Sequence, residues 1–510
     1  MTEFGVINWL VLAGYLSGML AIGAVFSRKN ISTGEFFFAG GRLPWWAVGI
    51  SMIATSISAT TFLGNPAETY AGDMTYMMLN LGVPVSIAIT TLVFIPYFRR
   101  NNVRSAYEIL EKRFDRKTRL LASGIYSCHV LLRTGILIYG PAIVFAAITG
   151  WSTTSAIMAV GVLSVSYTWM GGIRAVVWTD VIQFIILLGG GLLTLLFITY
   201  GVEGGLTTII ATAENAGKFR WFNNNLDPGD AHTFLSAGVA YIALDLAVRS
   251  CDQQFIQRYL STQNIRKAQW AAVLSAMLGA IAAWLFFMVG AFLFSYYTKH
   301  PAALPAGTEP NGVFPLFILS VLPQGLSGLM VAAIFAAAMS SLDSGISALA
   351  NTTVVDFMSN KEPSSPQTRR LKTARLSVLV WGTMGILAAL FASSFDASLL
   401  HIALYFTSLF TGSLLGIFIL AVAMPFARGG TAFTGALTGM LLLAVCTHGL
   451  YIDLPSVSAI PVIGWIASGL KLKLSWPWFP VISASVTVAV GTAFSFAHKN
   501  IAKNIVSTFD

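Results

Sequence analysis

The stretch 331–357, VAAIFAAAMSSLDSGISALANTTVVDF, predicts a membrane-spanning helix that carries an acid. It contains no Pro and is long enough to cross a bilayer. Ser340, Asp343, Ser344 and Ser347 follow at i, i+3, i+4 and i+7, which places them on one helix face, and Ser341 lies beside that face. A carboxylate at mid-membrane costs roughly 2.5–3.5 kcal/mol on insertion scales, so it needs a partner.

Hydroxyl and carboxylate oxygens are hard ligands that suit Na⁺ better than a soft metal, so this face is a candidate sodium site. Upstream of it, alanines are small enough to let another helix approach the backbone closely. The alternative is a structural role, in which the serines bond to their own helix and Asp343 pairs with a buried Arg.

The composition identifies a polytopic membrane protein. The 510 residues are 56% hydrophobic and only 10% charged, and the mean hydropathy is +0.74, whereas soluble proteins carry about 25% charged residues. The net charge of +9 comes from short loops between apolar segments, a distribution that indicates membrane topology and not nucleic-acid binding.

We count thirteen apolar segments and predict an all-α protein with about 13 transmembrane helices. The loops that we assign to the cytoplasm contain twenty-three of the thirty Lys and Arg residues, and Arg258 is one of them. The loops on the other side contain five, and the remaining two, Arg133 and Arg249, lie within spans. This bias predicts an N-terminus outside and a C-terminus in the cytoplasm. The short tails favour a bacterial inner membrane.

The second span contains many hydroxyl residues followed by Gly64, Asn65 and Pro66. Pro removes a backbone donor and Gly weakens a helix, so we expect this helix to break near those residues at mid-membrane. A broken helix frees carbonyls for a cation and amides for an anion. The alternative is a simple Pro kink.

Arg133 interrupts the apolar fourth span, where an Arg must face the interior or a cavity. Its planar fork matches a carboxylate. It is therefore a candidate clamp for a substrate carboxylate or, alternatively, the partner of an intramembrane acid such as Asp245. Asp245 and Arg249 are spaced i, i+4, and we favour a structural pair between them.

Asp180 opens the sixth span, where it caps a helix or completes a cation site with Asp343. No HExxH, GxxxxGK[ST], GxSxG or Rossmann pattern occurs in the chain, so the sequence does not predict an enzyme.

Four segments together resemble the solute:sodium symporter family, and the resemblance covers nearly the whole chain. They are SISATTFLGNPAETY, MGGIRAVVWTDVIQ, DQQFIQRYL and AAIFAAAMSSLDS. The resemblance implies a LeuT-type core of two inverted five-helix repeats over residues 46–424. It also implies one leading helix with its cytoplasmic loop over 1–45, and two C-terminal helices with a short tail over 425–510.

The resemblance also implies the site residues. The first Na⁺ site would use Ala54, Ile57, Ala337, Ser340 and Ser341. In the branch that transports sialic acid, a second site matches Ser340, Asp343, Ser344 and Asp180, with Ser in place of Asp343. The substrate residues of that branch match Ser56, Ser58, Thr61, Tyr76, Asn80 and Arg133.

We therefore expect Na⁺-coupled import of a small carboxylated solute by alternating access, with sialic acid as the best single candidate and two coupling ions favoured over one. We expect the chain to function as a monomer. A monocarboxylate or a neutral sugar is the alternative solute, and a channel or a transporter-like sensor is the alternative class of protein.

Overall fold

The structure, a computed structural model, describes residues 4–27, 31–358, 366–393, 399–447 and 474–509. These residues form a helical bundle whose nineteen α-helices are α1 (Val6–Ser27), α2 (Thr33–Phe38), α3 (Trp45–Ser56), α4 (Ala59–Ala71), α5 (Val83–Ile89), α6 (Ile95–Arg100), α7 (Glu108–Arg113), α8 (Arg116–Thr149), α9 (Thr153–Gly201), α10 (Gly205–Asn215), α11 (Tyr241–Cys251), α12 (Gln253–Ser261), α13 (Ile265–Lys299), α14 (Pro310–Ser320), α15 (Leu326–Thr352), α16 (Gln367–Ala392), α17 (Leu399–Ala423), α18 (Gly429–Thr447) and α19 (Trp478–Phe509). Turns of 3₁₀ or π geometry extend several of them, at Thr75–Leu81, Thr90–Phe94, Phe234–Ala240 and Thr353–Phe357.

Many of these helices are long and apolar enough to cross a membrane. Among the described residues, nine helical stretches meet both criteria. The bent pair of α3 and α4 is a tenth if it is counted as one span. The predicted all-α membrane fold is confirmed. The count of thirteen helices stays a prediction, and residues 448–473 of the predicted C-terminal part lie outside the described residues.

The long helix α9 changes direction at Gly172, where φ is 57° and ψ is −164°. Glycine adopts a positive φ without the steric cost that a Cβ would add. The kink separates the fifth and sixth predicted spans and places Asp180 in the second half of α9.

The second span is broken, but not where the sequence predicts. Helix α3 ends at Ser56, Ile57 and Ser58 are extended, and α4 runs through Pro66 without interruption. The predicted break of this helix is confirmed, but its position at Gly64–Pro66 is wrong. A Pro inside a helix removes one hydrogen bond, and a membrane helix can tolerate that loss when neighbouring groups satisfy the freed carbonyl.

Helix α15, which carries the acid, is the central helix of the bundle. It contacts α1, α3, α8, α9, α12 and α16, and 94% of the most apolar stretch of Leu326–Phe357 is buried. Such burial explains why its residues are mostly small or apolar, since every face meets another helix.

We predict that Gly290→Val disrupts the packing of α13 on α4. A Cβ at Gly290 would lie 2.8 Å from the Cβ of Thr69 and closer still to the carbonyl oxygen of Pro66. Overpacking of this kind costs about 1–3 kcal/mol, so the thermal unfolding midpoint of the detergent-solubilised protein should fall. The control is Gly14→Val, where nothing lies within 4 Å. Equal midpoints for the two variants would contradict the described packing.

Candidate functional site

The break between α3 and α4 lies against the hydroxyl face of α15. Ser340 Oγ donates to the carbonyl oxygen of Ala54 at 2.9 Å and to that of Ala337 at 3.2 Å. Ser341 Oγ donates to the carbonyl oxygen of Thr55 at 2.8 Å. The structure thus brings together four of the five residues predicted for the first Na⁺ site, and it adds the Thr55 carbonyl.

Ile57 is the fifth residue of that predicted site. It follows α3 with φ −83° and ψ 105°, so its carbonyl leaves the helical hydrogen-bond pattern. Only 5% of Ile57 is exposed. The junction therefore offers backbone and hydroxyl oxygens in a buried place, the kind of ligand set that a hard cation prefers.

Asp180 lies near this junction and is paired with an arginine from α12. Arg258 Nη2 donates to Asp180 Oδ2 at 2.9 Å, and Ser51 Oγ donates to the same oxygen at 2.5 Å. Arg258 Nε donates to Ser51 Oγ at 2.7 Å. The other carboxylate oxygen, Asp180 Oδ1, is buried and has no hydrogen-bond partner among the described residues.

Asp343 belongs to the same cluster. Tyr167 donates to its Oδ2 at 3.0 Å, and Ser344 Oγ donates to its Oδ1 at 3.3 Å. Ser344 Oγ also accepts from Arg258 Nη2 at 2.5 Å. All four residues predicted for the second Na⁺ site therefore lie in one connected group, because Ser344 also donates to the backbone carbonyl of Ser340.

Arg258 is the functional residue that the sequence analysis assigned wrongly. We expected it in a cytoplasmic loop, but only 1% of it is exposed and it lies between Asp180 and Ser344. The number of Lys and Arg residues in the loops assigned to the cytoplasm is therefore smaller by one. The signal lay in DQQFIQRYL, where Asp252 caps a short, fully packed helix instead of starting a loop.

The structural alternative for Asp343 is true in part. Ser344 bonds back to the carbonyl of Ser340, and a buried Arg is present, but its ion pair is with Asp180 and not with Asp343. The structure likewise does not use Asp180 as a helix cap, because this residue lies inside α9.

Arg133 forms no ion pair among the described residues, but it lies close enough to Asp252, the residue that caps α12, for its charge to act on that carboxylate. The predicted pair of Asp245 with Arg249 is confirmed, with Arg249 Nε donating to Asp245 Oδ2 at 2.7 Å. Ser86 Oγ also donates to that oxygen. Within the described ranges Arg133 forms neither an ion pair nor a hydrogen bond. Asp245 is thus paired with Arg249 and not with Arg133, and the alternative of an acidic neighbour for Arg133 rests on Asp252 instead.

The predicted hydroxyl contacts of the substrate follow the same break. Ser56 Oγ donates to the carbonyl of Met52 at 3.2 Å. Ser58 is buried and precedes α4, and Thr61 is half-buried in the first turn of α4. The helix α8, which carries Arg133, contacts α4.

Tyr76 and Asn80 lie towards one end of the bundle. Asn80 Nδ2 donates to the carbonyl of Met77 at 3.2 Å, and the Tyr76 ring packs edge-on against His232 with centroids 5.0 Å apart. Tyr241 shares an apolar cluster with Tyr76 and lies close enough to Arg133 to feel its charge. Tyr241 therefore connects the two parts of the predicted substrate site, and we did not predict it.

A polar cleft of about 230 Å³ opens beside Tyr76 and is also lined by Glu68, Asp73 and Arg220. The loop that covers it is held by Lys218, whose Nζ donates to the carbonyls of Tyr70 at 2.7 Å and Gly72 at 2.8 Å. Burial lowers the pKa of Lys218, and the charge of Asp73 partly offsets this shift.

Ion pairs lie just beyond the C-terminal end of α15, away from this cleft. Arg119 Nε donates to Asp356 Oδ1 at 2.7 Å and Arg119 Nη1 to Glu111 at 2.5 Å. Ser105 Oγ donates to the same Asp356 oxygen at 2.5 Å. These contacts join α8 and α7 to the π-helical turn Thr353–Phe357 that follows α15.

A helical membrane bundle with a broken helix, oxygen ligands at the break and charged side chains at mid-membrane defines a secondary transporter. The sequence model of the family described as "Sodium:solute symporter family" matches residues 36–442. The chain belongs to this family. It is an integral membrane transporter coupled to Na⁺ and not an enzyme.

Individual relatives agree with this assignment. The chain is 36% identical over 442 residues to the sodium/sialic acid symporter SiaT of Proteus mirabilis (strain HI4320), covering 84% of this chain and 87% of that protein. It is 31% identical over 504 residues to the sodium/sialic acid symporter NanT of Aliivibrio fischeri (strain ATCC 700601 / ES114), covering 98% and 94%. It is also 31% identical over 441 residues to human sodium-coupled monocarboxylate transporter 1, covering 83% and 70%.

Solved structures show the same fold. The substrate-bound, outward-open state of a Na⁺-coupled sialic acid symporter matches with a TM-score of 0.85 at 32% identity, covering 97% of this chain and 98% of that one. The nucleobase-cation symporter Mhp1 in a closed conformation matches with a TM-score of 0.53 at 13% identity, covering 91% and 94%, a likeness of fold alone. The predicted LeuT-type fold class is confirmed.

We predict that Arg258→Met destabilises the protein strongly, because it leaves the buried Asp180 carboxylate without its counter-charge. Removing one partner of a buried ion pair costs about 3–5 kcal/mol. The thermal unfolding midpoint of the purified variant should fall well below that of the wild type.

The double variant Asp180→Asn/Arg258→Met is the matched control, since it removes both charges. It should recover much of the lost stability. If the single variant unfolds at the wild-type midpoint, the described ion pair does not exist.

Proposed function

We propose that the protein imports sialic acid together with Na⁺ by alternating access. The observation that carries the choice of an acidic solute is Arg133, a guanidinium in a membrane span that forms no ion pair or hydrogen bond among the described residues. A charge in this position is costly unless it serves an interior ligand. The names of the two bacterial relatives support sialic acid as that ligand.

The first Na⁺ site in this proposal consists of the Ala54, Ile57 and Ala337 carbonyls with the Ser340 and Ser341 hydroxyls. The hydrogen bonds from the two serines to the carbonyls of α3 support it, because they show that these oxygens already lie within contact distance. A sodium ion between them would replace those bonds and hold α3 to α15.

The second Na⁺ site in this proposal consists of Asp180, Ser340, Asp343 and Ser344. Its support is charge balance, since two fully buried carboxylates face one guanidinium. One negative charge is left in excess among these three groups, and burying such a charge uncompensated is costly. A monovalent cation beside Asp180 Oδ1 and Asp343 balances the cluster, which favours two coupling ions.

The substrate in this proposal is held by Arg133 at its carboxylate. Its hydroxyl groups bond to Ser56, Ser58, Thr61 and Asn80, and Tyr76 covers it from the side of the outer cleft. Arg suits the first role because its fork binds both oxygens of a carboxylate at once.

The transport cycle follows from these sites. Na⁺ entry joins α3 and α4 to α15 and favours the outward-open state, after which the solute binds and the bundle closes over both. Two Na⁺ with one monoanion carry a net positive charge inward, and each charge gains about 2.3 kcal/mol per 100 mV. Transport is therefore electrogenic.

The remaining architectural proposals concern the whole chain. We propose that residues 46–424 form the ten-helix transport core, that 1–45 precede it and that 425–510 add two helices. We further propose that the chain works as a monomer in a bacterial inner membrane, with the N-terminus outside and the C-terminus in the cytoplasm.

A second candidate solute is a small monocarboxylate, which the likeness to human sodium-coupled monocarboxylate transporter 1 favours. It would use the same Arg133 contact but few of the hydroxyl contacts. A neutral sugar is the weaker alternative, because it leaves the guanidinium without a partner.

The function is tested by uptake of radiolabelled N-acetylneuraminate into proteoliposomes. We expect accumulation that requires external Na⁺ and grows with an inside-negative potential set by K⁺ and valinomycin. Lactate, glucose and unlabelled N-acetylneuraminate serve as competitors. Uptake that is blocked by glucose and not by acidic sugars would reject the carboxylate clamp, and the absence of both current and Na⁺ dependence would reject the mechanism.

We predict that Arg133→Gln abolishes uptake, whereas Arg133→Lys retains weak uptake with a raised KM. The Lys variant keeps the charge and loses the bidentate geometry. Concentration series in the same proteoliposomes measure both effects. Wild-type kinetics in Arg133→Gln would show that this side chain does not bind the solute.

We predict that Ser340→Ala/Ser341→Ala raises the half-saturating Na⁺ concentration about ten-fold, which corresponds to about 1.4 kcal/mol. Asp343→Ala should also weaken the Na⁺ dependence. Ser327→Ala is the control on the same helix, because its hydroxyl is buried and has no partner among the described residues. An unchanged Na⁺ titration in both site variants would contradict the proposed ion sites.

A further inference from the structure

A second cleft, of about 490 Å³, lies away from the transport site at the membrane end of the bundle. It is formed where the span Thr75–Arg100 ends and α13 begins. Arg99 and Arg104 line one side, and Gln263 and Asn264 line another. The cleft thus lies at the level where lipid headgroups meet the protein.

The charge of this cleft is positive. Neither Asp nor Glu occurs among its lining residues. The Arg104 side chain has no hydrogen bond or ion pair within the described ranges, and Glu108 accepts only its backbone N–H, at 2.7 Å. The Arg99 guanidinium donates only to carbonyls, those of Leu260 at 3.3 Å and Thr262 at 3.2 Å. Two cationic side chains therefore share a cleft that has no acidic residue in its lining, and the nearby Glu108 carboxylate is bonded to the Arg104 backbone.

The N-terminus of α13 adds to this potential. Asn264 caps the helix by accepting from the Lys267 N–H at 2.9 Å, and Ile265, the first residue of the helix, also lines the cleft. The positive end of a helix dipole favours an anion, phosphate included. It reinforces the two arginines.

Apart from Asn102, the remaining lining residues are apolar, namely Phe38, Val103, Leu260 and Ile265. A free anion gains nothing from such a wall, whereas a phospholipid places its phosphate on the cationic side and the first carbons of its chains on the apolar side. We propose that this cleft binds the phosphate headgroup of an anionic phospholipid. Basic pockets between helices at a membrane surface are suited to this class of ligand.

The test titrates phosphatidylglycerol into the purified full-length protein in detergent and follows the thermal unfolding midpoint. We expect a saturable rise for the wild type. Arg104→Gln should need about five-fold more lipid for half of the rise, the factor expected for one Arg near a lipid surface. The variant should fold normally, because the side chain is exposed and has no partner to lose. Higher salt should weaken the effect.

Three further arms make the outcome decisive. Lys117→Gln is the control, an exposed cation outside the cleft, and should titrate like the wild type. Phosphatidylcholine should give a smaller rise, and inorganic phosphate none. A rise produced equally by inorganic phosphate, an equal rise with phosphatidylcholine, or identical titrations for Arg104→Gln and the wild type would each overturn the proposal.

Discussion

The cost of burying charge away from water governs the arrangement of the charged cluster beside α15. Asp180, Asp343 and Arg258 are at most 1% exposed, and no solvent compensates for an error in their arrangement. Ser51, Tyr167 and Ser344 supply hydrogen bonds to these charges. The close packing of α3, α9, α12 and α15 follows from this need, because α3 and α12 each contribute one member of the cluster and α9 and α15 each contribute two.

The break in the second span also gives polar groups partners inside the bundle, here through backbone carbonyls. The α3 carbonyls at Ala54 and Thr55 bond to serines of α15 instead of to amides of their own helix. This exchange satisfies the Ala54 and Thr55 carbonyl oxygens within the bundle and places them beside the Ser340 and Ser341 hydroxyls. A Pro kink eight residues further on would not have placed the carbonyls opposite the serines.

Local patterns in the sequence were sufficient for the fold class and for the spacing of Ser340, Asp343 and Ser344, because helix periodicity is a local property. The pair of Asp245 and Arg249 was likewise predictable from its i, i+4 spacing. The position of the break and the partner of Asp180 could not be predicted from the sequence, because both depend on contacts between distant segments. Arg258 lies 78 positions from Asp180 along the chain, and hydropathy alone assigned it to a loop.

Helix α15 carries two features at once, the hydroxyls that meet α3 and, one π-turn beyond its end, the carboxylate that holds Arg119. At a rise of about 1.5 Å per residue, Ser340 and Asp356 are about 24 Å apart. The helix between them is continuous, because the π-helical turn follows α15 directly. Thermodynamic reciprocity then applies to the two ends. To whatever extent the contact of Ser340 with α3 strengthens the Arg119–Asp356 ion pair, that ion pair strengthens the contact of Ser340 by the same free energy.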